Sequence, residues 1–260
     1  MTPDRIGDIH ITREGHVAQV TIRKPPHNMM SIDLARDLAD ALEALDREPN
    51  MRAVVLASEG KSFCAGADLS NRAENIGPAT PTSNPLYEQA VRLHATELPI
   101  VAAIQGAAVG AGLGLALIAD LRIAAQEARF AANFVKIGFH PGFGLTHTLP
   151  RLIGRQRAAL MFLTGRRIKA EEAKEWGLVD EVVYADRVLP DAIALANEIA
   201  ENAPLAVRST RKTLRAGLAD AVKAQTDHEF SEQQWQMKTA DFKEGVKAVS
   251  ERRPGNFTGK

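Results

Sequence analysis

The chain has 260 residues, 45% of them hydrophobic and 25% charged, and its 32 Lys+Arg balance 32 Asp+Glu to a formal net charge of zero. This composition is typical of a globular protein and excludes a disordered or collagen-like chain, and the charge balance gives no indication of nucleic acid or an anionic membrane as a partner. The single cysteine, Cys64, excludes an internal disulfide framework and a cysteine-rich zinc site, and no His, Cys and carboxylate spacing indicates a metal. With no signal-peptide pattern and no apolar run long enough to span a bilayer, we expect a cytoplasmic protein.

Strands and helices alternate in the first part of the chain. Alternating apolar residues between Ile9 and Ile22 predict a β-hairpin. Ser31 is a good N-cap for a helix that Pro49 closes. Short apolar runs predict three strands, RAVVLAS from Arg52, IVAAI from Ile100 and LRIAA from Leu121, with helices around 86–96 and after Gly110. This alternation is typical of an α/β protein with parallel strands joined by right-handed crossovers.

The pattern changes toward the C-terminus. From about Arg155 onward it is mostly helical, with Val182, Val183 and Tyr184 as one possible strand, and only helices are predicted beyond residue 200. We therefore divide the chain into a core, residues 1–200, and a helical C-terminal region, residues 201–260. The apolar faces of that region are expected to pack on another subunit.

Two glycine-containing segments each follow a predicted strand: KSFCAGADLS, residues 61–70, and QGAAVGAGLGLALIAD, residues 105–120. Their glycines let the backbone approach a ligand closely, and the start of the following helix offers unpaired N–H groups to an anion or a developing oxyanion. Alternatively, the glycines only permit a tight strand-to-helix turn. The glycine order is one residue out of step with G-x-G-x-x-G, and no G-x-x-x-x-G-K-[ST] occurs, which disfavours nucleotide redox chemistry.

The segments FCAGADL and QGAAVGAGLGLALIAD resemble the enoyl-CoA hydratase/isomerase (crotonase) family. KPPHNMMS, FVKIGFHPGFGLTHTLPRLIG, LTGRRIKAEEAKEWGLVDEVV and SERRPGNF extend the resemblance over essentially the whole chain. It implies a crotonase-like α/β spiral of ββα units with a helical C-terminal trimerisation region, assembled as a homotrimer or a dimer of trimers. It also implies an acyl-CoA substrate, so coenzyme A enters with the substrate and no separate cofactor is expected.

The resemblance also implies the site. By position, the backbone N–H groups of Ala67 and Ala111 polarise the thioester carbonyl and stabilise an enolate, each by about 3–4 kcal/mol. Ala111 replaces a more usual glycine, which is tolerable if its φ is negative. The remaining matched positions contact coenzyme A or shape the acyl pocket: Pro26, His27, Ala65, Asp68, Leu69, Gly110, Gly114, Phe134 and Arg252.

The chain departs from the family at its acids. Hydratases carry glutamates at the positions of Gly114 and Phe134, and dienoyl-CoA isomerases and a chlorobenzoyl-CoA dehalogenase carry an aspartate at Gly142. None of these three residues can accept a proton. His140, in the loop that borders the acyl end of the pocket in the family, could replace them as a general base, or it is a structural histidine bonded to backbone. Tyr87 matches a pocket helix that carries a catalytic group in some relatives, or it is a partly buried structural residue.

Three functions stay open at this stage. The first is an enzyme of the enoyl-CoA hydratase/isomerase type, of lyase or isomerase class, with an unusual catalytic group. The second is a non-catalytic acyl-CoA binding protein that retains the fold, and the third is a scaffolding oligomer without a ligand. Cys64 is interpreted as a small buried residue rather than a reactive thiolate, and His94 and His147 as structural residues.

Overall fold

In the computed structural model, which describes residues 3–68 and 84–260, the larger of two sheets has seven strands. Their spatial order is β1 (Arg5–Ile6), β2 (Ile9–Glu14), β3 (Val17–Ile22), β4 (Ala53–Ser58), β6 (Ile100–Ile104), β8 (Leu121–Ala125) and β11 (Glu181–Val183). The first three strands pair antiparallel, and from β3 to β11 every pair is parallel. The predicted hairpin, the three predicted strands and the strand at 182–184 are therefore confirmed, the last one residue earlier.

A second sheet of four short strands was not predicted. Its order is β10 (Arg167–Lys169), β9 (Arg129–Ala131), β7 (Ala107–Val109) and β5 (Ser62–Cys64), with β9, β7 and β5 parallel and β10 antiparallel. Each of its strands has three residues, which is too short for an alternating pattern to stand out in the sequence. Strands β5 and β7 lead directly into the two glycine-containing turns, so this sheet positions both of them.

Helices cover the remaining regular structure. In chain order they are α1 (Ile32–Asp46), α2 (Pro85–His94), α3 (Ala111–Ala116), α4 (Phe134–Ile137), α5 (Leu145–Ile153), α6 (Arg155–Thr164), α7 (Ala170–Glu175), a 3₁₀ turn (Ala185–Arg187), α8 (Val188–Ala200), α9 (Pro204–Leu214), α10 (Leu218–Gln236) and α11 (Ala240–Ser250). Ser31 caps α1 as predicted, because its hydroxyl accepts a hydrogen bond from the Leu34 N–H. Every helix within residues 3–68 and 84–260 is too short or too polar to span a bilayer.

The larger sheet separates two hydrophobic cores. Successive side chains of a strand point to opposite faces, so Val54 and Leu56 enter the larger core while Val55 enters the smaller one. The larger core is closed by α1 and α2, and the smaller one by the small residues of α8. Parallel strands covered on both faces account for the continuous apolar runs from which these strands were predicted.

The C-terminal helices pack against the rest of the chain within one protomer. Asp120, which follows α3, accepts hydrogen bonds from the Ile100 N–H at 2.8 Å and from the guanidinium groups of Arg211 (2.8 Å) and Arg215 (3.2 Å). These ion pairs tie α9 to the strands β6 and β8, while α10 packs on α2. The change to helical structure near residue 200 is thus present, and the division into a core and a separate C-terminal region stays a prediction.

Candidate active site

Two backbone turns lie side by side at the carboxyl ends of β5 and β7. The parallel register pairs Ser62 with Ala107 and Cys64 with Ala108, so the chain leaves both strands at the same edge of the small sheet. The first turn, 65–68, is held by Met30, whose N–H donates to the Gly66 carbonyl at 2.8 Å and whose carbonyl accepts from the Asp68 N–H at 2.9 Å. In such a parallel bridge, Ala67, which lies between Gly66 and Asp68, directs its own N–H away from Met30.

The second turn starts α3. Gly110 adopts φ 55° and ψ −119°, a conformation that an L-residue rarely takes, and Ala111 is the first helical residue. The φ of Ala111 is not positive, as an alanine at this position requires. The first N–H groups of a helix have no partner inside it. Within 3–68 and 84–260, neither the Ala67 nor the Ala111 N–H has a hydrogen-bond partner.

Gly112 sets the distance between the two turns. A Cβ at this position would lie 2.7 Å from the carbonyl carbon and 2.9 Å from the Cβ of Cys64, closer than real Cβ atoms come. Only a glycine therefore lets α3 approach the end of β5 this closely. The two free N–H groups are held on adjacent segments by backbone packing, and their position does not depend on a flexible side chain.

Both N–H groups border one cavity of about 500 Å³. Its wall is largely apolar and includes Met29, Leu86, Val109, Phe134, Ile137, Phe139, Phe143, Met237, Phe242, Val246 and Val249. Polar side chains are contributed by Asp68, Asn84, Tyr87, Asn133, Gln233 and Ser250, and Asp68 is the one carboxylate among the described lining residues. Such a cavity, apolar with a few polar groups beside unpartnered backbone donors, is typical of a small-molecule site.

Other side chains occupy the space at two of the acid positions. A Cβ on Gly114 would lie 2.5 Å from Cδ1 of Phe143, whose ring is buried and whose backbone has φ 65°. A Cβ on Gly142 would lie 2.7 Å from Cζ of Tyr87. The third position, Phe134, lines the cavity with its own ring, which packs edge-on against Phe139 at 5.7 Å. At the three positions where relatives carry acids, this chain therefore has aromatic rings: those of Phe143, Tyr87 and Phe134.

Four of the nine residues matched to ligand contacts line this cavity. Ala65, Asp68, Gly110 and Phe134 line it, whereas Gly114 is covered by Phe143. Leu69 lies outside the described residues.

Three further positions stand beside the cavity and do not line it. Pro26 and His27 pack against the outer side of β5, since their carbonyls accept from the N–H groups of Lys61 (3.2 Å) and Ala65 (3.0 Å). Arg252 is exposed, two residues beyond Ser250 at the cavity wall.

The structure does not bring His140 to this cavity. Its ring lines a separate cavity behind α4, its Nδ1 lies 2.8 Å from the Pro141 carbonyl, and its ring meets that of His228 at 5.9 Å. The alternative interpretation, a loop histidine bonded to backbone, describes this geometry. The role of His140 as a general base stays a prediction that rests on the resemblance.

Two of the residues interpreted as structural, Cys64 and His94, are deeply buried. Burial raises the pKa of the Cys64 thiol to about 11, which keeps it protonated at neutral pH. Burial also lowers the pKa of His94 to about 4, and its Nδ1 donates to the Ala90 carbonyl. No group of three or more metal-binding side chains occurs in the part of the chain that the structure describes.

Asn133, Phe143 and Gln233 are among the cavity residues that sequence reasoning did not single out. Asn133 lies beside Gly110, with its Oδ1 3.9 Å from a Cβ built there, and its amide has no hydrogen-bond partner among residues 3–68 and 84–260. One signal was available, since Asn133 is the polar residue in the apolar stretch FAANF. The sequence gives no such signal for Phe143 and Gln233, because only the packing of distant segments brings them to the cavity.

Comparison with known proteins shows the family of this chain. The family described as Enoyl-CoA hydratase/isomerase matches residues 12–260. A putative enoyl-CoA hydratase from Thermus thermophilus is 38% identical over 253 residues, covering 94% of this chain and 98% of the relative. A 1,2-epoxyphenylacetyl-CoA isomerase from Escherichia coli is 33% identical over 258 residues, covering 95% and 97%.

Solved structures agree with the predicted fold. An enoyl-CoA hydratase/isomerase from Pseudoalteromonas atlantica superimposes with a TM-score of 0.87 at 30% identity, covering 96% of this chain and all of that one. A carnitinyl-CoA hydratase from Mycobacterium avium gives 0.86 at 33% identity, covering 98% and 100%. The predicted crotonase-like α/β fold is confirmed, and the chain belongs to the enoyl-CoA hydratase/isomerase family of enzymes.

Proposed function

We propose that this chain is an acyl-CoA thioester enzyme that binds the thioester carbonyl oxygen between the N–H groups of Ala67 and Ala111. The observation that carries the proposal is the pair of unpartnered backbone donors on adjacent turns, both bordering one largely apolar cavity. Backbone donors in such an oxyanion hole do not have to reorganise when charge develops on the oxygen. A scaffolding oligomer without a ligand would not need two unpartnered backbone donors beside a cavity.

The proposed chemistry is stabilisation of an enolate. Removal of a proton from the α carbon places negative charge on the carbonyl oxygen, where the two N–H groups and the start of α3 attract it. Loss of one such donor costs about 3–4 kcal/mol of transition-state stabilisation in enzymes that use them. The apolar wall strengthens this attraction, because fewer water molecules screen the charge.

The cavity favours isomerisation or elimination over hydration by paired carboxylates. Water activation of that kind needs acids at positions 114 and 134, which here are Gly114, covered by Phe143, and Phe134 itself. Asp68 and Asn133 are polar groups close to the proposed carbonyl site, while His140 as a base has support only from the resemblance. The same apolar positions would also suit a non-catalytic acyl-CoA binder, so the test has to separate binding from turnover.

Coenzyme A is proposed to enter past Ala65 and Asp68 and to extend along the Pro26–His27 turn. Ala65 and Asp68 line the cavity beside Ala67, and the turn packs against the same strand, β5. Arg252, exposed just beyond the cavity wall, has the charge and the reach to pair with a phosphate.

Assembly as a homotrimer or dimer of trimers is part of the proposal. Large apolar side chains are strongly exposed in the protomer: Leu163 at 78%, Leu205 at 82% and Leu214 at 81%. Such exposure on α6 and α9 is typical of a surface covered by another subunit. Sedimentation velocity tests this, and a monomeric protein at micromolar concentration would contradict it.

The function is tested by mixing the protein with saturated and 2-unsaturated acyl-CoA thioesters, measuring binding by calorimetry and identifying products by mass spectrometry. We expect binding and an isomerised or eliminated product from at least one thioester. Tight binding of every thioester without any product would favour the non-catalytic binder. Absence of binding to all of them would refute the proposed function.

A further inference from the structure

One side-chain amide in the wall of the cavity is held by the helix that follows it. Asn84 is the N-cap of α2: its Oδ1 accepts a hydrogen bond from the Leu86 N–H at 2.9 Å, and its carbonyl oxygen accepts from the Tyr87 N–H at 2.8 Å. Asparagine is favoured at this position because its side chain satisfies an N–H group that has no partner inside the helix. The side chain of Asn84 is therefore fixed in one orientation beside the cavity that it lines.

The cap determines which atom of the amide remains free. A backbone N–H can only donate, so the amide atom that faces Leu86 is the oxygen, and Nδ2 is directed elsewhere. Within residues 3–68 and 84–260, Nδ2 of Asn84 has no hydrogen-bond partner. The residue is nevertheless buried, with 7% of its surface exposed. The amide thus keeps an unpaired NH2 donor in a largely apolar wall.

The capping role does not account for this donor. Serine, threonine and aspartate cap helices through an oxygen atom and carry no NH2 group. Asparagine provides the same cap and adds a donor, and a buried donor without a partner is unfavourable. Because Asn84 lines the cavity, the NH2 group is what this side chain can offer to a ligand there. A ligand that carries an acceptor would satisfy it.

The charges around the cavity limit the kind of acceptor. Among the described residues that line it, Asp68 is the one charged side chain, and none is a lysine, an arginine or a histidine. A carboxylate on the acyl group would therefore be removed from water without a cation to pair with it, in a cavity that already holds a negative charge. A neutral oxygen avoids both penalties. The N-terminal end of α2 carries a partial positive charge, which also favours an acceptor over a second donor.

We infer that Nδ2 of Asn84 donates a hydrogen bond to a neutral carbonyl oxygen on the acyl group, so that the preferred substrates are oxoacyl-CoA thioesters. The inference rests on the proposed function, which supplies the thioester and binds its own carbonyl between Ala67 and Ala111. The oxo group is a second carbonyl, and it can only accept, as the free donor requires. A methylene group in its place would leave the donor without a partner, so the site discriminates against the alkyl analogue.

The test compares dissociation constants for heptanoyl-CoA and its 3-, 4-, 5- and 6-oxo derivatives, measured by calorimetry on the full chain. One hydrogen bond of this kind predicts that the best oxo derivative binds about fivefold tighter than heptanoyl-CoA or more. Asn84→Asp keeps the capping oxygen and replaces the donor by an acceptor, so the ratio of these two constants falls to about one or below at a pH of about 8, where the aspartate is ionised. Asn84→Ser, which also caps α2 and has no NH2 group, is expected to lose the preference as well.

Asn133→Asp is the matched control. It exchanges an amide for a carboxylate in the wall of the same cavity, so it adds the same charge and leaves Asn84 unchanged. We expect the preference for the oxo derivative to be kept in this variant. Equal binding of heptanoyl-CoA and all oxo derivatives by the unaltered protein, or a preference that survives in Asn84→Asp, would overturn the inference and leave the proposed function standing. If no acyl-CoA binds, the proposed function fails, and the inference fails with it.

Discussion

Replacement of Ala111 by proline removes one of the two N–H groups and keeps the start of α3 intact. Ala111 is the first residue of α3, a position where proline is favoured because its φ suits the helix and its missing N–H has no intrahelical partner. The Ala111 N–H has no acceptor in the described chain, so no internal hydrogen bond is lost. The ring points where the N–H pointed, into the cavity.

The expected loss follows from the proposed oxyanion hole. Removing one donor costs about 3–4 kcal/mol in the transition state, which corresponds to a roughly 10²- to 10³-fold decrease in kcat. Stability should change by less than about 1 kcal/mol, since the substitution also reduces the entropy of the unfolded chain. The assay is turnover of the thioester identified in the product screen, with urea unfolding measured on the same samples.

Arg155→Pro is the matched control. Arg155 is also the first residue of a helix, α6, it also follows a glycine with positive φ, and it is exposed and away from the cavity. We expect Arg155→Pro to keep kcat within about twofold, as surface substitutions usually do. If Ala111→Pro is folded and retains more than a third of the turnover, the Ala111 N–H is not a catalytic donor.

Further predictions concern the surroundings of the site. Gly112→Ala pushes α3 away from the end of β5, so it should cost about 1–3 kcal/mol of stability and also reduce turnover. Gly106→Ala creates a similar backbone clash at the other end of β5 and β7, and it should retain more turnover per folded molecule. Equal losses of turnover per folded molecule in the two variants would contradict this. Burial of Cys64 predicts no alkylation by iodoacetamide in the native protein and rapid alkylation in urea, and native labelling would refute its buried role. Burial raises the pKa of Glu229 from 4.5 to about 7 although it accepts hydrogen bonds from the N–H groups of Gly144 and Thr146, so the folded state holds this proton more tightly than the unfolded state. The stability of the wild-type protein should therefore fall by roughly 3 kcal/mol relative to Glu229→Gln as the pH rises from 4.5 through 7, and parallel curves from urea unfolding would contradict this. Asp120→Ala leaves two arginines without their carboxylate and should cost about 3 kcal/mol in urea unfolding; a loss below about 1 kcal/mol would show that the ion pairs do not hold α9.

The sequence was sufficient for the elements that are long or strongly patterned. The hairpin, α1 and the strands β4, β6 and β8 follow from apolar periodicity, because each buries a continuous face or run. The small sheet could not be predicted in the same way, since it is stabilised by pairing between three-residue segments far apart in the chain. Its existence nevertheless determines the site, as β5 and β7 carry the two turns.

The site shows the same division. Ala67 and Ala111 were singled out through the family resemblance, and the glycines beside them mark the turns in which their N–H groups have no partner among the described residues. What replaces the acids could not be predicted, since Phe143 reaches Gly114 across 29 positions and Tyr87 reaches Gly142 across 55. The orientation of His140 likewise depends on the packing of α10 against its loop.

The most direct test of the proposed oxyanion hole is the infrared frequency of the thioester carbonyl in a bound acyl-CoA labelled with ¹³C at that carbon. Two hydrogen bonds from Ala67 and Ala111 predict a carbonyl stretch at a lower frequency in the complex than in water, and a return toward the frequency in water in Ala111→Pro. This measurement does not require the reaction to be known. A ligand that binds in the cavity with the carbonyl frequency it has in water would contradict the central claim.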